Sequence, residues 1–251
     1  AGLPALLPEV LGWLHSFVPL PVFYYLVRFD QRQGAAVVLG GMLLAGTLAL
    51  LLGSVHALLI SLLLAPLGGV LARAAGRQEG PLRAGLEGTL FLFSLAAAFW
   101  LFMGLAGQMN PYAALVESLQ EGITAAHEMY RGSDSLAPET AQEIDAAFGA
   151  LKVFLPKILP ALLCTTLICT VWLNLAGGNW LLGKTGQHAP WPAYREWRLP
   201  DWLVWGVILA AVALLLSADA LHAVGLNLLI VLGLVYFFQG LAVVATLLAK
   251  W

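Results

Sequence analysis

Runs of about twenty apolar residues, recurring along almost the whole chain with few charges inside them, constrain this sequence more than any other feature. A helix needs about 20 such residues to cross a hydrocarbon core of about 30 Å. Inside lipid every backbone N–H and C=O must find its partner within the segment or a closed barrel. Seven candidate spans are read, at residues 8–27, 34–52, 55–72, 85–105, 158–176, 202–217 and 224–248. The first carries Glu9, His15 and the break Pro19-Leu20-Pro21, so it reads as a re-entrant or half-span piece followed by a short helix. The predicted fold class is therefore all-α, a polytopic integral membrane helical bundle of about six to seven transmembrane helices. Residues 1–251 read as a single transmembrane domain.

Composition excludes a soluble body. Of 251 residues, 61% are hydrophobic and 10% charged, against about 45–50% and about 25% in an ordinary globular domain. The net charge of −2 and the dispersal of the twelve Lys and Arg exclude a nucleic-acid partner, which needs clustered cations. The lipid bilayer is the partner the composition demands. Cys164 and Cys169 are five apart within an apolar run, on different faces of a helix, and read as packing residues. The chain opens on Ala1 rather than Met and has no secretory n-region, so its native start is expected to lie upstream.

Basic residues set an orientation. Arg28 and Arg32 lie in the first connection, Arg73, Arg77 and Arg83 in the third, Lys184, Arg195 and Arg198 in the fifth, and Lys250 at the end. The connection at Gly53 and Ser54 has none, and that at Asp219 has none. By the positive-inside rule the odd connections and the C-terminus are expected in the cytoplasm, and the long fourth connection, 108–157, outside. Within it Asn110-Pro111 reads as an N-cap followed by Pro at the first helical position. Tyr112, Leu115, Val116, Leu119, Ile123, Ala126 and Tyr130 then recur at helical steps. Ile144, Phe148, Leu151 and Leu155 repeat the pattern after Pro138. This segment is predicted to be an extracytoplasmic hairpin of two amphipathic helices.

Gly178-Asn-Trp-Leu-Leu-Gly183-Lys184-Thr185 matches the phosphate-loop pattern GxxxxGK[ST]. That motif works only between a strand and a helix N-terminus, whereas here an apolar span precedes it and Gly186-Gln-His-Ala-Pro190-Trp-Pro192 comes after it. It reads as a coincidence, with Lys184 a cytoplasmic anchor. Gly41, Ala45, Ala49 and Gly53 recur every four residues and read as a helix-packing face. Trp180, Trp191, Trp197, Trp202 and Trp205 read as an interfacial aromatic belt. His15, His56 and His222 do not share ligand spacing on one helix, so neither a metal site nor any other cofactor is expected.

Polar residues inside spans are the better functional pointers, since each needs a partner or a wet cavity. Thr166, Thr170 and Asn174 lie four apart on one face of the fifth span, Glu87 just inside the fourth, and Asn227, Tyr236 and Gln239 in the last. The threonines are accounted for by bonding back to the preceding turn. Asn174, Asn227, Tyr236, Gln239 and Glu87 are the candidate solute-binding residues, with Asn227 and Gln239 as two stations of a polar track. Interhelical hydrogen bonds, and for Glu87 snorkelling to the surface, are the structural alternatives.

Three stretches carry a family resemblance: Pro19-Leu-Pro-Val-Phe-Tyr-Tyr-Leu-Val-Arg28 running into Gly34, Trp197-Arg-Leu-Pro-Asp-Trp202, and Asn227 to Gln239-Gly240-Leu-Ala-Val. They resemble the YybS-like family of predicted bacterial membrane proteins, itself similar in fold to the S components of energy-coupling-factor transporters. The resemblance implies a bacterial cytoplasmic-membrane protein that binds a small-molecule solute and docks on a membrane coupling subunit. It also implies a full helix before the Pro-Leu-Pro segment and more chain after the last span. The other class left open is a non-catalytic membrane scaffold or assembly subunit holding a protein partner. An enzyme is not expected, because no nucleophile–base pair or metal triad is present.

Overall fold

The computed structural model describes residues 12–29, 31–107, 110–131 and 138–249. A 3-10 segment, Gly12–Phe17, leads into α1 (Pro19–Arg28), α2 (Gln31–Leu51), α3 (Val55–Gly76), α4 (Pro81–Gly107), α5 (Pro111–Arg131), α6 (Pro138–Lys184), α7 (Leu203–Leu215) and α8 (Asp219–Leu248). Among the described residues there is no strand. Among them five helices, α2, α3, α4, α6 and α8, are long and apolar enough to cross a membrane, and α7 is a shorter apolar helix. The chain is thus a polytopic helical membrane protein.

The first candidate span divides as its proline break predicts. Residues 8–11 lie outside the described residues, and the remainder of the span forms a 3-10 turn and the ten-residue α1. At 1.5 Å per residue α1 covers about 15 Å, half of a hydrocarbon core. The 13 residues of α7 cover about 20 Å, so neither spans by itself.

The second arm of the predicted hairpin corrects the expected boundary at residue 157. It does not end there: α6 continues as one 47-residue helix through Pro156 and Pro160 into the fifth span. Proline removes a donor and should break the ladder; side chains from elsewhere mend it. Asn110 caps α5 as expected, its Oδ1 accepting the N–H groups of Tyr112 at 3.0 Å and Ala113 at 3.3 Å.

Contacts divide the chain into two compact units. Unit 1 comprises residues 1–94, 166–200 and 235–251, and unit 2 residues 95–165 and 201–234, which include the whole 108–157 segment. In unit 1, α1 is wedged against its neighbours through glycine. A Cβ at Gly68 would overlap the α1 backbone, and one at Gly178 would overlap the fully buried Phe23 ring. In unit 2 a Cβ at Gly225 would lie 2.7 Å from the carbonyl of Ala210, which holds α8 tight on α7. Gly53 is not part of the packing face read from its spacing. Its φ is +68°, and Ser54 N–H reaches the Ala49 carbonyl at 2.8 Å, the left-handed cap that ends α2.

Candidate functional site

The five polar residues singled out in the sequence each have their own local surroundings. In unit 2, Asn227 fills the gap that Pro160 opens in α6. Its Oδ1 accepts the N–H of Ala161 at 2.8 Å, and its Nδ2 donates to the carbonyls of Lys157 and of Ala223, each at 2.8 Å. Ala161 and Lys157 are four apart and would bond each other in an unbroken helix, so the amide is spliced into the ladder in their place. The carbonyl of Pro156, which the imide nitrogen of Pro160 cannot serve, accepts the Tyr112 hydroxyl at 3.1 Å. Both ends of the Asn227 amide are used.

Gln239, in unit 1, does the same for an irregular stretch of loop. Its Oε1 accepts Leu199 N–H at 2.8 Å and its Nε2 donates to the Trp197 carbonyl at 3.3 Å. Tyr236, one turn earlier, is half-buried. Asn227 and Gln239, expected as two stations of one track, therefore belong to different units and have separate backbone partners. Glu87 bonds Arg77 within a surface network that also contains Glu79 and Arg83. Asn174 is fully buried; its Nδ2 donates to the Ser16 carbonyl at 2.6 Å and the Thr170 carbonyl at 2.7 Å, while its Oδ1 has no partner among the described residues. Thr170 bonds back to the Thr166 carbonyl at 2.9 Å, as its type and position predict.

Two clamps were not legible in the sequence. Asn179 holds Trp191 and Pro192 by three bonds: its Oδ1 accepts the Trp191 N–H (3.1 Å), and its Nδ2 donates to the carbonyls of Trp191 (3.2 Å) and Pro192 (3.1 Å). The Trp191 indole donates to the Glu79 carbonyl at 2.7 Å and stacks on Phe23 with centroids 5.6 Å apart. It is only 4% exposed, so Trp191 is a core anchor and not part of the expected aromatic belt; Trp180, Trp202 and Trp205 are exposed, at 62%, 68% and 64%. Thr246 fixes the same loop through the Arg195 carbonyl at 3.0 Å.

The phosphate-loop match ends a helix instead of starting one. Gly178 to Lys184 are the last turns of α6. Gly186, at φ +72°, terminates it, with Gln187 N–H bonded to the Leu182 carbonyl at 3.0 Å. A helix C-terminus presents carbonyls and the negative end of the dipole, which repel a phosphate.

A cleft among the described residues also leaves a polar group unused. It lies in unit 1 between α1, α2 and α3, has a volume of about 210 Å³, and carries no charged residue on its wall. Pro21, Val22 and Tyr25 of α1, Val38, Gly41, Met42 and Gly46 of α2, and Leu58, Ser61 and Ala65 of α3 line it. Ser61 is 6% exposed and its Oγ has no partner among the described residues. Among the described residues no three His, Cys, Asp or Glu side chains come together as a metal site.

Comparison with curated proteins and with solved structures gives no significant match. A family described as "Predicted membrane protein (DUF2232)" matches residues 5–251, and the chain belongs to that family.

Proposed function

We propose that this protein is a non-catalytic, solute-binding component of a bacterial cytoplasmic-membrane transport system. The role is similar to that of the S components of energy-coupling-factor transporters, to which the YybS-like family that its stretches resemble is similar in fold, and it implies a membrane coupling subunit as partner. The supporting observation is the cleft between α1, α2 and α3, an apolar recess with one buried hydroxyl that has no partner among the described residues. Small-molecule sites are mostly apolar recesses with a few fixed polar groups, and at about 210 Å³ this one suits a small ligand. The amides of Asn227 and Gln239 are each bonded to backbone within their own unit, so in this reading they serve the frame of the fold.

Native mass spectrometry of the protein released from lipid nanodiscs tests this. A stoichiometric small molecule other than bulk lipid supports it, as does uptake of that molecule that depends on the gene. A chain that carries only bulk lipid and cross-links to one membrane protein selects the scaffold reading, which the fully bonded amides also favour.

A further inference from the structure

The cleft has a structural origin that says what fits it. Only a half-length helix, α1, stands between the two full-length helices α2 and α3. It meets α2 at Gly34 and α3 at Gly68, where the backbones approach so closely that a Cβ would overlap them. Between Gly41 to Gly46 and Leu58 to Ala65, α1 supplies one wall through Pro21, Val22 and Tyr25 and leaves the space itself open. A Cβ at Gly41 would meet no atom within 4 Å.

Three occupants can be compared. Each buried water needs about two to four polar partners. Among the lining residues Ser61 and Tyr25 alone have polar side chains, too few for water to fill a space of about 210 Å³. An ordinary lipid tail fits the apolar walls but leaves the Ser61 hydroxyl unpaired in hydrocarbon, which is unfavourable. A lipid head group does not reach it either. Ser61 lies six residues into α3 from Val55, about 9 Å below the turn. What satisfies walls and hydroxyl together is a short aliphatic molecule lying wholly in the cleft with one hydrogen-bonding group at the depth of Ser61. Its head must be uncharged, because the wall offers no counter-charge and an isolated ion in hydrocarbon is costly.

We infer that this cleft is a binding site for an uncharged, single-chain aliphatic amphiphile, such as a medium-chain alcohol or amide, entering from the bilayer and hydrogen-bonded to Ser61 Oγ. This rests on the solute-binding reading and names its substrate class.

The test is photolabelling of the full chain in phosphatidylcholine nanodiscs with a diazirine-bearing decanol, mapped by mass spectrometry. Saturable labelling is expected on the peptides around Met42 and Leu62. It should be competed by 1-decanol but not by decanoate, and reduced at least fivefold by Ser61→Ala and by Gly41→Leu, which fills the recess. Labelling that spreads evenly over lipid-facing helices, or that ignores both substitutions, overturns the site. Equal competition by decanoate overturns the uncharged head group. Cross-links from a photoreactive residue at position 62 to residues 1–11 would make the chain's own N-terminal segment the occupant and also overturn it. Labelling as expected without gene-dependent uptake of the alcohol leaves the site standing and removes the transport role.

Discussion

At the scale of single residues, one side-chain amide decides whether a proline-interrupted helix stays whole. Asn227→Leu would leave the Ala161 N–H and the Lys157 carbonyl without partners in an apolar setting. Interhelical hydrogen bonds in membranes average only about 0.6 kcal/mol, but stranded backbone groups cost about 1–3 kcal/mol each. The expected loss is therefore above the average, on the order of 1–3 kcal/mol in denaturant unfolding from micelles. Pro160→Ala should recover most of it in the double variant, because the restored N–H lets the ladder close. Equal stability of Asn227→Leu and the parent, or additive losses in the double variant, would show that the splice carries no energy. Gln239 is a second case. Its replacement by Leu should free the loop bonded at Leu199 and Trp197, so that trypsin cuts after Arg195 or Arg198 several-fold faster. An unchanged digestion rate would mean that Asn179 and Thr246 hold the loop without it.

At the scale of elements, the hairpin of α5 and the first turns of α6 is closed by charge outside the bilayer. The 47 residues of α6 run about 70 Å, more than twice the hydrocarbon thickness, so its acidic N-terminal third lies beyond the core. There Arg131 bonds Asp145, through Nε at 2.8 Å and through Nη2, and His127 Nε2 lies 2.6 Å from the same carboxylate. The Arg131 hydrogen bond, then that of His127, holds Asp145 at about 2, below its ordinary 3.8. A carboxylate depressed on folding favours the closed hairpin fully above its unfolded value and loses that contribution as pH falls through the folded one. The hairpin should thus loosen between about pH 4 and pH 2, read as faster amide exchange in α5, and Asp145→Asn should abolish that step. A step that persists in the Asn variant would assign it to other carboxylates.

At the scale of the whole molecule, the basic loops predict an orientation that labelling can check. In a variant with Cys164 and Cys169 replaced, single cysteines at Gly53 or Asp219 should react with an impermeant reagent in intact cells, and those at Arg77 or Lys184 only after lysis. Labelling of position 77 or 184 from outside would reverse the topology. The helical membrane class, the half-length first helix, the Asn110 cap and the false phosphate loop were all readable in the chain itself. Each depends on composition, periodicity or a neighbour within a few residues. The roles of Asn227, Asn179, Trp191 and Ser61 were not. An asparagine that mends a helix, one that clamps a loop and one that binds solute have the same letter and the same apolar flanks. What separates them is which backbone groups lie opposite, and those come from positions 66 residues away for Ala161 and 112 away for Glu79. Length and hydrophobicity are properties of a segment, so sequence determines the spans. Satisfaction of a polar group is a property of a pair, so only the tertiary structure decided which groups are spent on the frame and which, like the Ser61 hydroxyl, are left to meet something else.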